Sequence, residues 1–215
     1  MALAAIFDLD GTLLNTLEDL ADSANEALGG CGYAPHPVAA YRDFVGEGMA
    51  VLMERILPAA ARSEEEVGRL LAVYRDAYGR RWKAKSRPYE GIEALLRGLA
   101  ERGVPLAVLS NKPQANTELC MGHFFGEHCF AAIFGQREEV PRKPDPAGAL
   151  EIAALLGLDP GEVLFVGDTA TDMDTARAAG MVPVGVLWGF RSEAELREHG
   201  AQHVVASPAD ILKLC

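Results

Sequence analysis

Beyond residue 88 the chain repeats one pattern: a short apolar run, a cluster rich in Gly, Asp, Ser or Lys, then a stretch of helical periodicity. The runs fall at residues 104–109, 130–134, 163–166 and 182–187, with a weaker one at 203–205. Residues 3–7 make another of the same kind near the start. These runs are continuously apolar and do not alternate, which is how strands buried on both faces of a sheet read. Between them, residues 92–102 end at Gly103, 113–124 open on Pro113, and 170–179 end at Gly180. Residues 146–156 follow Asp145 as N-cap and stop at Gly157. Each reads as a helix with recognisable start or stop signals. Strand–helix alternation with right-handed crossovers predicts an α/β fold on a doubly wound parallel sheet.

Residues 16–87 break the pattern and contain no convincing strand. Leu17, Leu20, Ala21, Ala24 and Leu28 share one helical face, ended by Gly29, Gly30 and Gly32. Residues 36–45 predict a second helix and 49–57 a third, separated by Gly46-Glu47-Gly48. Ser63 followed by Glu66 reads as a capping box opening a longer helix with Val67, Leu70, Leu71, Tyr74, Tyr78 and Trp82 as its stripe. Arg80, Arg81, Lys83, Lys85 and Arg87 suit that helix's C-terminal end. The expected organisation is therefore a core of residues 1–15 and 88–215 with an all-helical insert at 16–87.

The formal net charge of -11 argues against a nucleic-acid or anionic-membrane surface, and an anionic substrate must meet local positive charge. No apolar stretch of about 18 residues suggests a membrane span, and the N-terminus lacks a basic leader segment. Cys31, Cys120, Cys129 and Cys215 form no C-x-x-C pair and read as reduced thiols of a cytoplasmic protein. His123, His128 and Cys129 are close in sequence but match no usual zinc spacing.

Ligands of doubly wound sheets bind beyond the carboxyl ends of the strands, so the residues after each run carry the functional signal. The first run is followed by Asp8, Asp10 and Thr12, and the second by Ser110, Asn111 and Lys112. Arg142-Lys143-Pro144 comes some residues after the third run, and Gly167-Asp168-Thr169-Ala170-Thr171-Asp172 follows the fourth. A bare Asp-x-Asp is commonly a solvated turn. Gathered at one sheet edge, these carboxylates suit a hard cation such as Mg²⁺, and the lysine, hydroxyls and helix N-termini suit an adjacent phosphate.

In order, Phe7-Asp8-Leu9-Asp10-Gly11-Thr12-Leu13, Ser110-Asn111-Lys112, Lys143-Pro144 and Gly167-Asp168-Thr169-Ala170-Thr171-Asp172 resemble the four motifs of the haloacid dehalogenase superfamily of phosphohydrolases. The insert after the first motif, with Val45-Gly46-Glu47-Gly48, Ala176-Arg177-Ala178-Ala179-Gly180-Met181 and Trp188-Gly189-Phe190, is similar to the phosphoglycolate phosphatase-like branch. The resemblance implies Asp8 as nucleophile, forming an aspartyl-phosphate, and Asp10 as the acid and base that serves the leaving oxygen and then water. It implies Mg²⁺ on Asp8, on Asp10 through its backbone carbonyl, and on Asp168. Ser110, Lys143 and the Asn111 N–H would hold phosphoryl oxygens. Thr12, grouped with those phosphate-binding residues, would orient Asp10, and Asp172 would support the metal shell or Lys143. The helical insert would act as a cap that selects the substrate, with Arg42, Gly46 and Arg55 as candidates to face it.

The implied function is Mg²⁺-dependent hydrolysis of a small phosphorylated metabolite, with 2-phosphoglycolate the first candidate, by a cytoplasmic monomer or homodimer. A pyrophosphatase, a sugar-phosphate phosphatase or a phosphomutase of the same superfamily would carry similar motifs. A silent binding or regulatory module on this fold is the non-enzymatic alternative, and intact Asp8, Asp10, Lys143 and Asp168 speak against it.

Overall fold

The computed structural model describes residues 2–215, so Met1, the first residue of the expected core segment, lies outside the described residues. The chain divides into two compact units, one formed by residues up to Leu14 with Pro88–Cys215, the other by Asn15–Arg87. In chain order the elements are β1 (Ala4–Phe7), β2 (Leu14–Asn15), α1 (Leu17–Gly30), α2 (Tyr41–Phe44), α3 (Met49–Ile56), α4 (Glu64–Arg81) and β3 (Arg87–Pro88). They continue as α5 (Ile92–Glu101), β4 (Leu106–Pro113), α6 (Gln114–Phe124), β5 (Ala132–Gln136), α7 (Ala147–Leu156) and β6 (Val163–Gly167). The chain ends with α8 (Ala170–Ala179), β7 (Val182–Val186), α9 (Glu193–Glu198), β8 (His203–Val205) and α10 (Pro208–Ile211).

The first unit is built on a six-stranded sheet of order β5-β4-β1-β6-β7-β8, and β2 pairs with β3 in a separate two-stranded ribbon. Every neighbouring pair of the six strands runs parallel. This is the doubly wound sheet that the continuous apolar runs predict. The strand order reverses at β1, whose Phe7 is in register with Val108 on one side and Val166 on the other. Ala4, Ala5, Ile6 and Phe7 are all fully buried, so β1 is covered on both faces. On one face Ala4 and Ile6 join Ala107, Leu109, Ile152, Phe165 and Ala176 in one apolar cluster, to which α7 and α8 contribute. The small residues there let helices approach the sheet closely, and the cluster fixes the height at which the strands end.

Several boundaries differ from the sequence expectation. The second strand extends to Pro113, because residues 110–112 stay extended across a register shift and Pro113 resumes pairing with Gln136 of β5. The expected helix over 36–45 is a 3₁₀ turn, Val38–Ala40, followed by the single turn α2. Asn25 accepts from the His36 N–H at 2.8 Å and donates to its carbonyl at 2.9 Å, and a residue before proline disfavours helical geometry. Ser63 caps α4 by accepting from the Glu66 N–H at 3.2 Å, but the Glu66 carboxylate accepts from Arg69 at 3.0 Å, so only half of the expected box forms. The third expected helix of the core begins at Ala147 with Pro146 as its N-cap. Asp145 still accepts the Ala147 N–H at 2.9 Å, since Pro146 has no donor to offer.

In the helical unit, Arg80 and Arg81 lie in the last turn of α4, as expected, and both pair with Glu26 of α1. All four cysteines are free. No helix among the described residues is long and apolar enough to cross a membrane.

Asp19 organises the base of the helical unit. It is 1% exposed and accepts from the Lys85 N–H at 3.0 Å, the Ser86 N–H at 2.7 Å and the Ser86 hydroxyl at 2.7 Å. These bonds tie the first turn of α1 to the end of the unit. Replacing Asp19 with Ala strands buried donors and is expected to cost about 2–4 kcal/mol in urea unfolding. A change below about 0.5 kcal/mol, the range of neutral surface substitutions, would show these bonds to be unimportant.

Candidate active site

Asp8 is the residue that β1 delivers to the carboxyl edge of the sheet, at the strand-order reversal. Its N–H donates to the Val166 carbonyl at 2.9 Å, which continues the sheet pairing one step past Phe7. The side chain is buried, and the Lys143 ammonium lies 2.9 Å from its Oδ1. Lys143 also lies 2.7 Å from Asp172 Oδ1 and donates to the Leu109 carbonyl at 3.0 Å. The Lys143 loop is held by Asn111, whose side chain accepts from the Lys143 N–H at 2.9 Å and donates to its carbonyl at 3.0 Å.

Two further carboxylates come from the segment after β6. Asp168 is fully buried and accepts from the Thr12 hydroxyl at 2.9 Å and the Phe190 N–H at 2.8 Å. Asp172 accepts from the Thr169 N–H at 3.0 Å and the Thr169 hydroxyl at 2.7 Å, closing a capping box on α8. One oxygen of Asp172 thus anchors the helix while the other faces Lys143. Oxygens of Asp8, Asp168 and Asp172 lie within 4.8 Å of one another. The approach depends on missing side chains: a Cβ on Gly167 would sit 2.3 Å from Asp172 Cβ, and one on Gly189 would sit 2.2 Å from Asp168 Cβ. Gly11 is excluded from substitution twice, by a φ of +91° and by a Cβ position 2.3 Å from Asp168 Oδ2.

The fold and the order of these residues can be compared with known proteins. A family model described as haloacid dehalogenase-like hydrolase matches residues 5–186. The phosphoglycolate phosphatase of Mesorhizobium japonicum is 38% identical over 203 residues, covering 94% of this chain and 89% of that protein. The chain belongs to the haloacid dehalogenase-like hydrolase family. The phosphoglycolate phosphatase of Haemophilus influenzae is 33% identical over 214 residues, covering 97% of this chain and 96% of its own length. A crystal structure of a protein from Lactobacillus delbrueckii subsp. bulgaricus superposes with a TM-score of 0.92 at 32% identity, covering 100% of this chain and 98% of the other.

In this haloacid dehalogenase-like hydrolase the expected residues fall into separate groups. Asp8, Lys143, Asp168 and Asp172 form one buried cluster. Thr12 donates to Asp168 and not to Asp10, which corrects the expected partner. The tight turn at Gly11 sends the Thr12 side chain inward, where it is fully buried, while Asp10 stays partly open to solvent. The Thr12 carbonyl accepts from Trp188 Nε1 at 2.9 Å, so both ends of this residue are engaged within the protein. Ser110 and Asn111 are buried at the end of β4.

Lys112 is the residue that sequence reasoning left without a role. Its ammonium lies 2.9 and 2.8 Å from the two oxygens of Asp10. The available signal was a lysine three residues beyond a strand run, where a buried ammonium needs a carboxylate. The N–H of Phe190 was equally hidden, since a backbone donor leaves no mark in sequence. Arg42, Gly46 and Arg55 belong to the helical unit. Arg42 is exposed on α2, and Gly46 has a φ of +120° in the turn that follows. Arg55 donates to the Phe44 carbonyl at 3.1 Å and pairs with Glu47.

With all groups ionised, three acids against one ammonium leave the buried cluster with a net charge of minus two. Burial pushes Asp8 from its ordinary 3.8 up to about 7; Lys143 pulls it back down, while Asp172 and Asp10 add to the rise. Burial, then Asp172 and Asp8, raise Asp168 well above the ordinary carboxylate range. Burial disfavours the Lys143 charge, but Asp172 and Asp8 outweigh it and hold the ammonium protonated. Asp8 Oδ1 is buried and has no hydrogen-bond donor in suitable geometry among the described residues. An oxygen-rich, doubly negative, buried cluster fits a divalent cation. Other arrangements of His, Cys, Asp and Glu able to hold a metal are absent among the described residues, and His128 meets Glu93 at 2.7 Å instead.

Between the ordinary and folded pKa of Asp8, the folded chain keeps a proton that the unfolded chain has released. Burial of this acid therefore costs more stability as pH rises through that interval, and Asp168 adds with the same sign. The metal-free midpoint of thermal unfolding is expected to fall as pH rises from about 5 to about 8, and a saturating divalent cation should flatten the slope. Asp168→Asn should raise the metal-free midpoint, by about 2–4 °C per kcal/mol relieved, and lose the stabilisation by a divalent cation. Differential scanning calorimetry reads both effects, and a midpoint that rises with pH in the metal-free protein would refute the charge assignment.

Proposed function

We propose that this phosphatase hydrolyses 2-phosphoglycolate, a small phosphate monoester, through a phosphoryl group carried on Asp8. The observation that carries the reading is Asp8 itself: a buried carboxylate at the end of the central strand, with Lys143 at 2.9 Å to meet charge on its oxygens. The substrate follows from the relatives, since proteins of 38% and 33% identity over nearly the whole chain are phosphoglycolate phosphatases.

Each residue has a defined task in this reading. Asp8 attacks phosphorus and the ester P–O bond breaks. Asp10 gives a proton to the leaving oxygen, then takes one from the water that cleaves the aspartyl-phosphate. Lys143, Ser110 and the Asn111 N–H hold phosphoryl oxygens as charge moves across them. Thr12 and the Phe190 N–H keep the Asp168 carboxylate turned into the cluster. Asp172 fixes Lys143 and the start of α8 together. Mg²⁺ held by Asp8, the Asp10 carbonyl and Asp168 would neutralise the cluster and admit a phosphate dianion.

The helical unit at residues 16–87 is the proposed cap, which excludes water and selects the substrate. Arg42, Arg55 and the Gly46 turn are its proposed specificity elements, and an arginine there would pair with the glycolate carboxylate. Arg55 would have to exchange its partner Glu47 for that carboxylate. The proposed setting is the cytoplasm, with a free metabolite as partner.

A Mg²⁺-supplemented screen of phosphorylated metabolites should rank 2-phosphoglycolate first by kcat/KM, and EDTA should abolish turnover. Asp8→Asn should lower kcat by about 10⁴-fold or more, as expected for loss of a nucleophile. Wild-type turnover by that variant would remove Asp8 from the mechanism. A sugar phosphate or pyrophosphate ranked first would leave the chemistry standing and replace the substrate.

A further inference from the structure

Two buried lysines stand at the carboxyl edge of the sheet, and they meet different acids of the first and fourth motifs. Lys143 serves Asp8 and Asp172. Lys112 approaches both oxygens of Asp10, at 2.9 and 2.8 Å, and its side chain is only 3% exposed against 20% for Asp10. We propose that Lys112 is a positioning residue for proton transfer, holding the Asp10 carboxyl group in the orientation from which it meets first the leaving oxygen and then water. The inference rests on the proposed acid–base role of Asp10.

The geometry supports it at three levels. The backbone of Lys112 is fixed: its N–H donates to Ser110 Oγ at 3.3 Å and its carbonyl accepts from the Thr117 hydroxyl at 3.1 Å. Gly135 of the neighbouring strand packs against that carbonyl so closely that a Cβ there would sit 2.6 Å away. The long side chain thus starts from a rigid point and ends on Asp10. A carboxylate just ahead of a glycine turn otherwise rotates freely about its side-chain bonds. Contact with both oxygens removes that freedom, and misplacement of a reacting group by about 1 Å costs about 10²-fold in rate.

The chemistry served is balanced. An Asp8 oxygen forms a bond to phosphorus as the ester P–O bond breaks, and the leaving oxygen takes the Asp10 proton. Lys112 then faces the carboxylate that remains. Water next forms a bond to phosphorus while giving its proton to Asp10, the Asp8–phosphorus bond breaks, and both acids return to their first state.

The test compares Lys112→Met, Lys112→Arg, Asp10→Asn and the Asp10→Asn/Lys112→Met double variant, all with Mg²⁺, on an alkyl phosphate and on p-nitrophenyl phosphate. Lys112→Met should lower kcat on the alkyl phosphate by about 10²-fold and move KM by less than about threefold. Single-turnover release of p-nitrophenolate, a leaving group that needs no proton, should stay within about threefold of wild type. The double variant should be no more than about threefold slower than Asp10→Asn, because the two residues act as one unit. Lys112→Arg keeps the charge and should recover about tenfold of the loss.

A KM raised about tenfold with kcat unchanged would overturn the proposal and make Lys112 a phosphate contact. Fully additive losses in the double variant, or a Lys112→Arg no better than Lys112→Met, would also overturn it. An inactive Asp10→Asn beside an unimpaired Lys112→Met would refute the Lys112 inference alone. Wild-type turnover by Asp10→Asn would refute the Asp10 assignment beneath it.

Discussion

The constraint on which the site depends is the repulsion among Asp8, Asp168 and Asp172. Three acids with oxygens within 4.8 Å of one another do not remain buried unaided. Lys143 bridges two of them, and each carboxylate of the Asp168–Asp172 segment is further held by a backbone N–H. Those donors are supplied by a helix start and by the segment after β7, so the charge arrangement and the fold are one structure. What the protein groups leave over is a net negative charge, which is where a divalent cation fits.

The sheet explains why such distant residues meet. Reversal of strand order at β1 opens the carboxyl edge between its two neighbours, β4 and β6. Asp8, Ser110 and Asp168 each stand near the end of one of these three strands. Pairing of Phe7 with Val108 and Val166 sets them at similar height. The apolar cluster below, from Ile6 and Phe165 to Ala176, makes that height rigid, and positional rigidity is what a pre-organised charge cluster requires.

Much of this was legible from sequence. Continuous apolar runs mark parallel strands, and acids directly after them mark a functional edge, so the sheet and the residues Asp8, Lys143, Asp168 and Asp172 could be read in advance. Partner choice was less legible. Thr12 turned to Asp168 because a left-handed glycine precedes it, and Lys112 took Asp10 because β4 runs on to Pro113. Residues 36–45 looked helical in sequence, yet the bonds between Asn25 and His36 hold their start out of the helix.

The order and spacing of the motifs determined the fold class, the family and the kind of chemistry, because strand periodicity, turn residues and titratable groups are local properties of the chain. Only the tertiary structure decided which acid each lysine neutralises, which backbone N–H completes Asp168, and why Gly167 and Gly189 have no side chain. Those outcomes turn on distances of about 3 Å between segments far apart in sequence, where a hydrogen bond forms or a Cβ collides, and no local pattern encodes them.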